Sequence, residues 1–104
     1  MNANDYPHLA QFFGGWFHQD WMDDGYATPA DVVRDYIKCE TPEMVHETYR
    51  ELSELLSGRL TPNQMTKLIG DALGCAYDPA ADGKSWRSWL REIEKLMRPT
   101  QAKR

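Results

Sequence analysis

The residue types able to do chemistry gather in three places along the chain. His18, Asp20, Asp23 and Asp24 fall in one short window and are ligand types for a divalent metal. Their spacing argues against a metal centre. Residues two apart point to different faces of a helix, and no His-x-x-x-His return supplies further ligands. His8 and His46 do not complete the set by spacing. The plainer reading is that His18 and Asp20 hydrogen-bond locally and hold a turn that orients Trp21. Cys39 and His46 make a formal thiol–imidazole dyad, but Thr41-Pro42 breaks the helix between them. There is no Gly-x-Ser-x-Gly, and Gly14-Gly15 is not followed by the Gly-Lys-Ser/Thr of a phosphate-binding loop. These residues predict no enzyme, no metal and no other cofactor.

The carboxylates are more informative. Glu43, Glu47, Glu51 and Glu54 recur at i, i+4, i+8 and i+11, which is one face of a helix. Each like-charge i, i+4 pair costs about 0.2–0.5 kcal/mol, and within the helix only Arg50 relieves the repulsion. Such a face is solvated, or paired with the basic residues Arg87, Arg91 and Arg98 of the last helix, or is a docking surface for a basic cleft. Asp20, Asp23, Asp24, Asp31 and Asp35 form a second acidic region. Residues 1–57 hold eleven acids and three bases, whereas residues 58–104 hold five acids and nine bases, within an overall net charge of -4. An acidic half repels nucleic acid and attracts basic partners.

The elements that position these groups are predicted to be helices. With 104 residues the chain fits one domain, 1–104, burying roughly 65% of its unfolded surface. Thr28-Pro29, Thr41-Pro42 and Thr61-Pro62 each read as an N-cap followed by proline at the first helical position. Gln64 completes a capping box with Thr61, and Asp31 is an acid in the first turn after Thr28. Apolar residues then recur at helical spacing: Val33, Tyr36 and Ile37; Val45, Tyr49, Leu52 and Leu56; Met65, Leu68, Ile69 and Leu73; and Trp86, Trp89, Leu90, Ile93, Leu96 and Met97, before Pro99. Trp86 and Trp89 are expected in the core. Seven of the twelve aromatic residues lie between Tyr6 and Tyr26, so the N-terminal quarter is a main source of core. Leu9, Phe12, Phe13, Trp16 and Phe17 keep helical spacing across Gly14-Gly15, where the helix is expected to end, kink or closely meet another backbone. Asp78–Gly83 reads as a loop, and no strand-like alternation is present. The expectation is an all-α, single compact domain of about five helices.

No apolar run reaches the ~20 residues a membrane span needs, and no basic segment followed by an apolar one marks a signal peptide. A cytoplasmic protein is expected, with Cys39 and Cys75 as reduced thiols.

The run Phe12-Phe13-Gly14-Gly15-Trp16-Phe17-His18-Gln19-Asp20-Trp21 resembles the opening motif of a CdiI-type immunity protein family of bacterial contact-dependent growth inhibition. The length and the later rhythm of helices are similar too. In this motif Phe12, Phe13, Gly14, Gly15, Phe17, His18, Gln19, Asp20 and Trp21 are expected to be structural. The resemblance implies a cytoplasmic monomer that binds the C-terminal toxin domain delivered by sibling cells, as a 1:1 heterodimer. It implies blockage of the toxin's active site or substrate surface, with no direct contact to nucleic acid or membrane. Many such toxins are nucleases, and an acidic inhibitor suits a phosphate-binding cleft. The toxin-binding face is then expected among Asp20, Asp23, Asp24, Asp31, Asp35, Glu43, Glu47, Glu51 and Glu54. On that expectation, Glu47→Lys with Glu51→Lys leaves folding intact and weakens binding. The alternative is a small helical DNA-binding or regulatory protein, using residues 61–97 with Lys84, Arg87, Arg91 and Arg98 toward phosphate. The long Asp78–Gly83 connection and the acidic total stand against it.

Overall fold

Three Thr-Pro pairs start three helices, each by the same device. Thr28 Oγ1 accepts from Asp31 N–H at 3.3 Å, Thr41 Oγ1 from Met44 N–H at 3.1 Å, and Thr61 Oγ1 from Gln64 N–H at 3.2 Å. Gln64 Oε1 accepts from Thr61 N–H in return, closing the capping box. These bonds satisfy N–H groups that a helix start leaves without a partner. The computed structural model describes residues 3–98. Pro99, the expected stop of the last helix, lies outside the described residues.

The helices are α1 (Pro7–Trp16), α2 (Pro29–Cys39), α3 (Pro42–Ser57), α4 (Pro62–Met65) and α5 (Trp86–Met97). No strand occurs among the described residues, and the fold is all-α. Helix α4 makes one α turn and then continues as a π-helix over Thr66–Ala72. Leu73 N–H bonds to Leu68 O at 2.8 Å, the i to i+5 pattern. Short 3₁₀ turns at Trp21–Asp24 and Pro79–Asp82 occupy the connections. Helix α3 packs on α5 and α1, and α2 packs on α5. One apolar cluster joins them.

The motif aromatics build the middle of that cluster. Phe12, Phe13 and Phe17 are fully buried and Trp21 nearly so. Phe17 follows the last turn of α1, and its ring meets Phe12, Phe13, Trp21, Tyr77 and Trp89 at centroid distances of 5.2–6.4 Å. Trp89 is buried as expected, whereas Trp86 is half-buried, its indole N–H donating to Thr66 Oγ1 at 3.0 Å. Cys39 and Cys75 are both free thiols. Cys75 is buried, and burial pushes its thiol up to about 12.

Of the three outcomes expected at the paired glycines, the third occurs. Helix α1 runs through them to Trp16. The backbone of Gly14 touches the end of the π-helix: a Cβ on Gly74 would sit 3.5 Å from Gly14 Cα, and one on Gly14 would sit 3.7 Å from Leu73 O. Gly74 has φ +79°, the left-handed conformation that ends the helix. Gly15 differs, since a Cβ there meets nothing within 4 Å. Gly15→Ala is therefore expected to stabilise the protein by about 0.5–1 kcal/mol, because it removes backbone freedom from the unfolded chain without a clash. Chemical denaturation of the two proteins checks this; a destabilised variant would mean that the second glycine has a role the packing does not reveal.

Candidate functional site

The acids of α3 do not form one uniform face. Glu43 and Glu54 are exposed, and Glu47 is half-buried. Glu47 Oε1 accepts from Arg50 Nη2 at 2.6 Å and Nε at 3.2 Å. The hydrogen-bonded guanidinium holds the Glu47 carboxyl below the usual carboxylate range. Glu51 is 5% exposed and turned inward. Its Oε1 accepts from the backbone N–H groups of His8 at 2.9 Å and Leu9 at 3.0 Å, and its Oε2 faces His8 Nδ1 at 2.5 Å. Glu51 thus caps α1, whose N-cap residue Tyr6 makes no side-chain capping bond to the helix, and the positive end of the α1 dipole favours its charge.

This corrects the reading of Glu51 as part of a docking stripe. At about 100° per residue, Glu51 lies about 80° around α3 from Glu43 but only about 40° from Leu55. The drift carries it to the edge of the apolar face. The double substitution of Glu47 and Glu51 cannot then separate folding from binding, since Glu51 holds up α1.

Among the described residues, the expected pairing of these acids with Arg87, Arg91 and Arg98 does not form as read either. Arg87 reaches the end of α3 and donates to its carbonyls, Nη1 to Leu56 O at 2.8 Å and Nη2 to Gly58 O at 3.3 Å. A second contact of α3 with α5 is made by an acid, Glu94, which accepts from Ser53 Oγ at 2.8 Å. Lys84 Nζ pairs with Glu92 at 2.9 Å. Arg91 and Arg98 are exposed. Two of the four bases read as phosphate contacts are therefore engaged within the protein.

In the second acidic region, Asp31 accepts from Arg34 Nη1 at 3.2 Å, and Asp35 accepts from the Tyr26 hydroxyl at 2.6 Å. With Gly25, Arg34 and Lys38 they line an open depression of about 370 Å³. Its charge is mixed, because two bases stand among the acids. Asp20 and Asp23 are exposed on the turn after α1; the side chain of Asp24 lies outside the described residues. His18 Nδ1 accepts from Asp20 N–H at 3.0 Å, the local bond expected of a turn. Gln19, Gly14 and Gly15 are exposed. Among the described residues no group of three or more His, Cys, Asp or Glu side chains is placed to hold a metal ion.

Sequence reasoning missed the partner of the 18–27 turn. Ala76 N–H bonds to Phe17 O at 2.8 Å, and the Tyr77 ring meets Trp21 edge-on at 5.7 Å. The loop Asp78–Gly83 is thereby brought beside the turn Trp21–Asp24. Asp78 Oδ1 accepts from Ala80 N–H at 3.0 Å, and Asp82 accepts from the Tyr77 hydroxyl at 2.5 Å. Burial first, and then the bond to Asp82, raise the Tyr77 phenol. Between the two segments lies a depression of about 420 Å³, walled in part by Met22, Ala27, Ala76, Tyr77, Asp78 and Asp82. One sequence signal was available: Asp78-Pro79 repeats the cap-then-proline device of the Thr-Pro pairs.

No helix among the described residues is long and apolar enough to cross a membrane. Residues 5–97 match a family described as CdiI immunity protein. The fold is similar to that of a chain in the crystal structure of a CdiA-CT/CdiI complex from Y. kristensenii 33638. That likeness has a TM-score of 0.84 at 24% identity and covers 93% of this chain and 97% of that one. No curated protein matches the chain.

Proposed function

The chain belongs to the CdiI immunity protein family, and from that membership we propose that it binds and neutralises the C-terminal toxin domain of a contact-dependent growth inhibition system. The family match over residues 5–97 is the observation that carries this reading. The chain is read as a single domain over residues 1–104, a monomer when free, pairing 1:1 with the toxin in the cytoplasm. It acts by binding, covering the toxin's active site or substrate surface, and no catalytic step is assigned to it.

The finer proposal is that the toxin is a nuclease. Its support is electrostatic. A nuclease cleft must be positive to hold phosphates. This chain has net charge -4, and its acids are concentrated in residues 1–57, where Asp20 and Asp23 are exposed. Like charge keeps the inhibitor off nucleic acid, and opposite charge steers it to the toxin. The DNA-binding alternative loses ground because Arg87 and Lys84 are engaged internally.

Co-expression tests the reading. Cells producing the cognate toxin domain are expected to grow when they also produce this chain and to stop growing when they do not. Purified toxin is expected to degrade RNA or DNA until this chain is added. Cells that arrest equally with and without the chain would overturn the immunity reading. Protection from a toxin that leaves nucleic acid intact would overturn only the nuclease proposal.

A further inference from the structure

Met22 is the one large hydrophobic side chain left exposed among the described residues, with 70% of its surface in water. Its neighbours explain how it is held there. Trp21 beside it is buried against Phe17 and Tyr77, which fixes the turn. Gly25, at φ +94°, closes the turn with its N–H on Met22 O. Ala27 and Ala76 add apolar lining, and the Tyr77–Asp82 bond fixes the second loop. Both segments are thus held by contacts within the chain before any partner arrives, which lowers the entropic cost of binding. Methionine is unbranched and polarisable, and it adapts to the shape of a partner's side chain.

The charge lining this depression is acidic, and the nearest base along the chain, Lys84, is paired with Glu92 at 2.9 Å. Residues 18–27 and 76–83 carry Asp20, Asp23, Asp24, Asp78 and Asp82, with no lysine or arginine. Asp78 and Asp82 form part of the wall itself, while Asp20 and Asp23 are exposed on the turn that carries Met22. The other depression, beside α2, has Arg34 and Lys38 in its wall and lacks this uniformity. An apolar centre in a carboxylate rim has the anatomy of a protein interface, with a desolvated core inside a polar border. Its complement is an apolar side chain flanked by Lys or Arg.

We propose that this depression is the surface on which the cognate toxin docks, Met22 packing on an apolar side chain of a basic toxin segment and the surrounding aspartates meeting that segment's cations. The proposal rests on the immunity reading above and adds to it the place and chemistry of contact. It moves the interface away from α3, where Glu51 is structural and Glu47 is matched by Arg50.

The test is calorimetric titration of a catalytically inactivated cognate toxin domain into the full chain and four variants, with a melting curve for each. Met22→Glu is expected to weaken binding at least about thirtyfold, the scale of an interface hot spot. Asp23→Lys is expected to weaken it about tenfold or more and to change its salt dependence, as reversal of a rim charge does. Met22→Leu and Glu54→Lys should stay within about threefold of the parent, because the first keeps the apolar contact and the second lies on α3. All four should melt near the parent, since each site is exposed. If Met22→Glu and Asp23→Lys fold and bind at full strength, this surface is not the interface and the immunity reading survives. If Glu54→Lys loses binding instead, the interface is on α3 and the proposal is overturned. If the parent chain itself does not bind, both the proposal and the immunity reading fail.

Discussion

Replacing Phe17 with alanine is expected to cost about 3–5 kcal/mol, the scale of a buried aromatic truncation. The side chain is 0% exposed and stands among five other rings from four parts of the chain. Two contributions add. The ring loses its own burial, and the cavity left behind cannot collapse readily, because Phe12, Phe13 and Trp89 are anchored on two different helices. Edge-on partners such as Trp89, at 5.2 Å and 88°, add about 0.5–1.5 kcal/mol each beyond area. The site also spaces the loops, since Phe17 O holds Ala76 N–H and the Phe17 ring touches both Trp21 and Tyr77. The variant should therefore bind toxin less well in proportion to its unfolded fraction. Urea denaturation measures the effect, and a loss below about 1 kcal/mol would show that the ring cluster is not the centre of the core.

Glu51→Lys is expected to be at least as damaging. Leaving two backbone N–H donors without their acceptor costs about 1–3 kcal/mol each, and lysine does more than remove that acceptor. An ammonium would face two backbone N–H donors and the positive end of α1, all of which the carboxylate now satisfies. Against a total stability of about 5–15 kcal/mol for a domain, the variant should be largely unfolded or melt far below the parent. Glu51→Gln keeps a carbonyl oxygen for those donors and should cost less, about 1–3 kcal/mol, the scale of an imperfectly satisfied buried polar group. Circular dichroism melts of the two variants check the order. Equal melting of Glu51→Lys and the parent would place Glu51 back in solvent and restore α3 as a continuous acidic face.

How much of this was legible in the sequence depends on the range of the interaction. Helix starts were legible because the Thr-Pro device is local: cap, proline and first N–H donors all lie within four residues. The apolar stripes of α3 and α5 were legible for the same reason. The end of α1 was half legible. Gly14-Gly15 left an end, a kink or a close approach open, because the partner that makes it the third, Leu73-Gly74, is far along the chain. Glu51 was misread because periodicity locates faces without their borders. A carboxylate at the edge of an apolar stripe faces solvent unless another element brings it donors, and α1 does so from 42 residues away. The uncapped start at Tyr6-Pro7 was the available hint. The π continuation of α4 left no mark in the pattern, since Leu68, Ile69 and Leu73 suit an α-helix equally. At the candidate site, Asp20 and Asp23 were legible as acids, but Asp78 and Asp82 belong with them only through the Trp21–Tyr77 contact.

Binding of a toxin domain by this chain is tested by direct titration. The inactivated cognate toxin domain should bind it with one-to-one stoichiometry and a Kd of about 1 μM or tighter, weakening as salt is raised because the chain contributes the acidic side of the contact. Absence of binding at toxin concentrations of about 100 μM, with both proteins folded, would contradict the account.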